Sequence, residues 1–136
     1  MTAAHCVKDV SPSNLLVRVG EYNVLDEKEA HSHTNRRITR VITHVNFDKQ
    51  SYEYDIAVLR MVRPVDFQPN AIPICLPSDN DDLVGRTGSV TGWGRRSEYG
   101  QISPILREVH LPIISNEKCM AMYRLSGQNE WIPRIF

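Results

Sequence analysis

The stretch Arg37-Ile38-Thr39-Arg40-Val41-Ile42-Thr43-His44-Val45 alternates polar and apolar residues and is rich in β-branched side chains. A period of two turns one side of an extended chain to a core and the other to water, so it predicts a half-buried strand. The same reading extends to either side. Leu15-Leu16-Val17-Arg18-Val19 predicts a strand that Gly20-Glu21 ends, and Asp55 to Met61 predicts another. Between them, Tyr22 to His33 is polar and acidic, with Asp26, Glu27 and Glu29, and Asn46 to Glu53 is a second loop. Strands bounded by turn chemistry, without a sustained helical period, argue for an all-β, antiparallel barrel architecture.

Further along, Pro64, Pro69, Pro73 and Pro77 punctuate a segment that cannot lie in a central strand, because proline donates no ladder hydrogen bond. Residues 68–82 therefore read as a connector, ending in the solvated run Ser78-Asp79-Asn80-Asp81-Asp82. Thr87 to Gly92 is the next expected strand, and Arg95 to Pro104 a polar loop. From Leu106 to Ile114 the alternation returns, with Leu106, Val109, Leu111 and Ile113 expected to pack and Arg107, Glu108 and His110 to stay wet. Ser115-Asn116-Glu117 offers a helix cap followed by an acid in the first turn, so a short helix is expected to about Tyr123.

The composition is that of an ordinary globular protein, 41% hydrophobic and 24% charged over 136 residues. Sixteen basic and sixteen acidic residues give a formal net charge of zero. That balance supplies no chain-wide attraction to nucleic acid or to an anionic membrane. No apolar run approaches the ~18 residues of a membrane span, and no basic-then-apolar leader precedes Met1-Thr2. Three cysteines, Cys6, Cys75 and Cys119, are widely spaced with no C-x-x-C metal pattern. From the residues alone, they read as buried free thiols.

Chemistry concentrates in Thr2-Ala3-Ala4-His5-Cys6. Histidine trades protons near neutral pH and suits general-base work, and such a base needs a carboxylate on its other ring nitrogen. The candidate is Asp55, in Tyr54-Asp55-Ile56-Ala57-Val58-Leu59-Arg60, an acid leading into an apolar run. Taken singly, His5 reads as a core histidine bonded to backbone, and Asp55 as a strand cap or a partner of Arg60. Together with Ile74-Cys75-Leu76-Pro77 and Thr91-Gly92-Trp93-Gly94, in this order, the two stretches resemble the trypsin/chymotrypsin family of serine endopeptidases.

The resemblance implies two antiparallel β-barrels, both incomplete here, with one short helix near the C-terminus. Residues 1–67 would form the later part of the first barrel, 68–82 the connector, and 83–136 the first part of the second. It implies peptide hydrolysis through an acyl-enzyme, with His5 as base and Asp55 as its orienter, meeting in a cleft between barrels. Each cysteine would be a half-cystine: Cys6 pairing upstream, Cys119 just downstream of Phe136, and Cys75 tethering a pro-region, as in arthropod clip-domain proteases. A protein or peptide substrate, a zymogen and a secreted location follow, with no nucleic acid or membrane partner.

The family's serine sits in Gly-Asp-Ser-Gly-Gly, and none of the ten serines here has that setting. Ser89, in Thr87-Gly88-Ser89-Val90-Thr91-Gly92, reads as an ordinary strand hydroxyl. The chain as given is thus expected to be a piece, inactive alone. The alternatives are a non-catalytic homologue acting as a binding protein or cofactor in an extracellular cascade, and an incomplete product with no stable fold. No cofactor is expected. The loop at Glu21, with Asn23 and Glu27 or Glu29, offers oxygens of the kind calcium takes, but a solvated acidic loop is preferred. His31-Ser32-His33 lacks a third metal ligand, and His44 reads as a surface residue. Arg36-Arg37 and Arg95-Arg96 read as solvated turns, Trp93 and Trp131 as packing residues.

Overall fold

In a computed structural model of the chain, which describes residues 1–78 and 82–128, the alternating stretch folds as the middle strand of an antiparallel sheet. The acidic tip of the connector at 79–81 and residues 129–136, with Trp131, lie outside the described residues. The sheet runs β1 (Leu16–Val19), β2 (Thr34–Thr43), β3 (Ala57–Met61), in that order. Strand β2 begins three residues before the alternation and stops at Thr43.

The alternation does not run unbroken. The register with β3 shifts between Ile38 and Arg40, so Thr39 is an extra residue on β2, and its Oγ1 donates to the Arg60 carbonyl at 3.0 Å. Such a bulge switches which parity faces inward. Ile38 is buried and Val41 and Thr43 are half-buried, whereas Arg40 and Ile42 face water. A strict period of two would have put Ile38 and Ile42 on the same side.

The chain divides into two units, described separately. The first comprises Met1–Gly20 and His33–Ala71. Its core is Ala4, Val7, Phe47 and Ala57, with Leu15, Val41 and Leu59 packed against it. The Thr2 amide donates to the Ala57 carbonyl at 2.9 Å and the Ala57 amide to the Thr2 carbonyl at 2.8 Å, so the N-terminal segment lies along the start of β3. Gly20 ends β1 with φ +78°, and a Cβ there would stand 2.6 Å from Asn70 Nδ2, which donates to the Gly20 carbonyl. Only glycine meets both demands cheaply.

The second unit comprises Glu21–Ser32 and, among the described residues, the chain from Ile72 to Gln128. Strands β4 (Thr87–Gly92) and β5 (Arg107–Pro112) pair antiparallel from Thr87 opposite Pro112 to Gly92 opposite Arg107. Contrary to the packing expected of Val109 and Leu111, both are half exposed, at 48% and 50%. A two-stranded ribbon needs a second layer to bury either face, and the described residues supply none. Leu106 and Ile113, at the ends of the run, are half-buried. Helix α1 (Asn116–Leu125) starts where expected: Ser115 is the cap, its Oγ accepting the Lys118 amide at 3.2 Å.

The fold is thus all-β with one α-helix and short 3-10 turns at Ala4–Cys6 and Pro12–Asn14, and its described sheets, of three and two strands, are open. Among the described residues no helix is long and apolar enough to cross a membrane. Phe47 is the largest side chain in the first unit's core, so Phe47→Ala should lower stability by about 3 kcal/mol. Urea unfolding of the chain reads that loss directly, and a change near zero would mean the cluster is not a core.

Candidate functional site

His5 sits on the single 3-10 turn Ala4–Cys6, closed by Cys6 N–H to the Ala3 carbonyl at 3.3 Å and Val7 N–H to the Ala4 carbonyl at 3.0 Å. Ala4 is fully buried, and its small side chain lets the turn settle against Ala57 in the core. His5 then projects outward, its side chain 45% exposed.

Asp55 arrives from the opposite direction. It precedes β3 at the end of a tight loop in which Tyr52 and Tyr54 adopt left-handed φ of 58° and 54°. Bulky residues rarely take that conformation, so the surroundings must hold it. They do so in several ways. The Asp48 carboxylate accepts the Gln50 and Ser51 amides at 2.6 and 3.3 Å, the Asp48 amide reaches the Glu53 carbonyl at 3.1 Å, and the Tyr54 ring stacks on His44 at 4.6 Å. His44, also bonded through Nδ1 to the Asn46 amide at 3.2 Å, is committed to holding this loop.

The two sequence candidates meet. His5 Nδ1 lies 2.5 Å from Asp55 Oδ2, and the His5 backbone N–H donates to Asp55 Oδ1 at 2.8 Å. Both carboxylate oxygens thus face one residue fifty positions away in the chain. Partial burial on its own would raise the Asp55 carboxyl. The hydrogen bonds from the His5 ring and backbone, with the charge attraction of His5 and the Ala4 amide, outweigh it and hold the carboxyl below the ordinary carboxylate range. With Nδ1 committed to Asp55, the lone pair falls on Nε2. Tyr52 packs edge-on to the imidazole, centroids 5.5 Å apart, and Cys6 Sγ lies 3.3 Å from Nε2. Sequence reasoning did not include Tyr52 beside the base, nor the contact of Cys6 Sγ with Nε2. The adjacency of Cys6 to His5 was the only signal in view.

A second histidine contact forms in the other unit. Ser89 and His110 are cross-strand partners on β4 and β5, with Ser89 Oγ 2.9 Å from His110 Nδ1. Glu108 Oε1 lies 3.9 Å from the same nitrogen. A relay needs its acid and its nucleophile on opposite ring nitrogens, so this cluster is not a second copy of the His5 arrangement.

Of the loop acids, Glu29 accepts the Asn23 amide at 2.6 Å and the buried Glu21 accepts the Tyr22 amide at 3.1 Å, while Asp26 and Glu27 are exposed. Among the described residues no three His, Cys, Asp or Glu side chains gather as a metal cage. Trp93 Nε1 donates to the Tyr22 carbonyl at 3.1 Å. Cys6, Cys75 and Cys119 are free thiols, the first two exposed.

Comparison with known proteins agrees with this architecture. The family model "Trypsin" matches residues 1–132. Over 99% of its length the chain is 40% identical to the serine proteinase stubble of Drosophila melanogaster, of which it spans 17%. It is 37% identical to the proclotting enzyme of Tachypleus tridentatus, covering 90% of this chain and 35% of that protein. Among solved structures it is similar to that of GrC, with a TM-score of 0.78 and 25% identity over 92% of this chain and 53% of the other.

The geometry makes acid a specific probe of the pair. A carboxyl lowered by folding adds stability that is complete above its unfolded value, about 3.9, and is lost as pH falls through the lower folded value. In urea unfolding at stepped pH, the stability gap between the parent and Asp55→Asn should therefore shrink on acidification below about pH 4. A gap that does not change through that window would mean that the His5–Asp55 contact is absent in solution.

Proposed function

Since this chain belongs to the trypsin family, we propose that it is the part of a secreted serine endopeptidase that carries the general base, His5, and the acid that orients it, Asp55. The observation that carries the reading is the two-point contact between them: Nδ1 to Oδ2 at 2.5 Å and the His5 amide to Oδ1 at 2.8 Å. One carboxylate thereby fixes both the tautomer and the tilt of the ring, which leaves Nε2 as the proton acceptor.

In this mechanism a serine hydroxyl gives its proton to Nε2 as its oxygen attacks the scissile carbonyl carbon. The tetrahedral intermediate collapses, the C–N bond breaks, and His5 returns the proton to the departing amine. Water then repeats the sequence on the acyl-enzyme. Throughout, the proton on Nδ1 stays on the His5 ring, where Asp55 accepts its hydrogen bond and balances the charge that His5 acquires. None of the ten serines here stands in Gly-Asp-Ser-Gly-Gly, and the chain spans only a minor part of the curated relatives it matches, so the reading assigns the nucleophile to a residue outside these 136. The chain alone should then be inactive.

Protein substrates suit the family. Cys6 with an upstream cysteine, Cys119 with a downstream one, and Cys75 with a pro-region complete the proposal, which places the zymogen in an oxidising, extracellular compartment. Pairing Cys6 would also take its thiol off Nε2, where the serine must approach.

A fluorophosphonate probe tests the assignment. It should label the full-length protein on a serine in Gly-Asp-Ser-Gly-Gly and leave the 136-residue chain unlabelled; labelling of the short chain refutes it. A different residue at the serine position makes the protein a non-catalytic homologue. In the full-length enzyme, Asp55→Asn should lower kcat by about 10⁴-fold, the size established for that change in a trypsin-type triad.

A further inference from the structure

We propose that His44 is a positioning residue for the His5–Asp55 pair, keeping Asp55 in place by gripping the residues on both sides of it. On the near side, the His44 imidazole stacks on the Tyr54 ring, centroids 4.6 Å apart and planes 5° from parallel. On the far side, the His44 amide donates to the Ile56 carbonyl at 3.0 Å. Asp55 lies between these two held neighbours, and the Ile56 amide reaches back to the Tyr54 carbonyl at 2.7 Å, closing a three-residue turn around it. His44 is itself fixed. Its carbonyl accepts the amide of Phe47, a core residue, at 3.1 Å, and its Nδ1 accepts the Asn46 amide at 3.2 Å.

The grip is needed because Tyr54 does not rest where a tyrosine prefers. Its φ of 54° is left-handed, a region that a bulky side chain keeps only when its surroundings impose it. If Tyr54 relaxed to an extended φ, the chain beyond it would be re-aimed, and Asp55 is the next residue. The carboxylate has two contacts to keep, to the His5 ring and to the His5 amide, and a rotation at Tyr54 moves both oxygens together. Stacking suits this task, since it sets the tilt of both rings and leaves their hydrogen-bonding atoms free for other partners. The effect of His44 on catalysis rests on the protease reading; its effect on the His5–Asp55 contact does not.

Two asparagine variants of the full-length protein remove the stack and little else. Asparagine accepts a left-handed φ in place of Tyr54, and in place of His44 its side-chain oxygen accepts an amide two residues on. In proton NMR the short hydrogen bond puts the proton between His5 Nδ1 and Asp55 far downfield, and its loss in Asp55→Asn assigns it. In His44→Asn and in Tyr54→Asn this resonance should move upfield or disappear. Turnover should fall with it, kcat by about tenfold at unchanged KM, the pattern of an interaction felt only in the transition state. The double variant should lose no more than either single one, because both break the same contact. Tyr54→Phe keeps the aromatic face and should restore both the resonance and kcat. Should one asparagine variant not fold, the other decides. The inference is overturned if either folded asparagine variant keeps the parent's resonance, if the two losses add, or if Tyr54→Phe behaves as Tyr54→Asn does. A change in KM in place of kcat overturns it too. Fluorophosphonate labelling of the parent reports separately on the protease reading, and in a protein without the serine the resonance alone decides.

Discussion

Two reciprocal backbone hydrogen bonds between Thr2 and Ala57 are the constraint on which the candidate site depends. His5 lies three residues beyond one end of that bridge and Asp55 two residues before the other. A chain spans at most ~3.5 Å per residue, so the bridge confines the imidazole and the carboxylate to one small region before either makes a contact. Closing a loop of fifty residues costs entropy, and the burial of Ala4 and Ala57 beside Val7 and Phe47 offsets it. Small residues at both positions matter because a larger one would lift the turn off the strand.

Strand β3 serves two faces at once. Inward, Ala57 and Leu59 join the core; outward, Val58 and Arg60 meet Ile42 and Arg40. What decides which β2 residues share each face is the extra residue at Thr39, held by its own hydrogen bond to the Arg60 carbonyl. One hydroxyl thereby sets the burial of Ile38 and the arginine rung on the far side. The chemistry of the site and the character of the outer face are consequences of the same strand pairing.

His5 and His110 show why proximity alone does not make a relay. His110 meets Ser89 and Glu108 through a single nitrogen, a result of cross-strand neighbourhood on an exposed ribbon. His5 has its carboxylate on Nδ1 and a sulfur beyond Nε2, so the two ends of the ring are differentiated. Proton transfer through an imidazole requires that asymmetry. In the first unit it arises because the turn and the strand approach the ring from different sides, which a two-stranded ribbon cannot arrange.

Periodicity and turn chemistry in the sequence by themselves determined the element types: β4 at Thr87–Gly92, the Ser115 cap of α1 and the strand ending at Gly20 are local in origin. Motif order pointed to His5 and Asp55 as a pair, although nothing local joins residues fifty apart. Tertiary structure alone decided their 2.5 Å contact, the left-handed Tyr52 and Tyr54 that deliver Asp55, and the approach of Cys6 to Nε2. It alone decided the bulge at Thr39, which no glycine announces, and the exposure of Val109 and Leu111. The physical reason is common to these cases. Local pattern states which side of an element is apolar, whereas register, strained φ and burial depend on what packs against it.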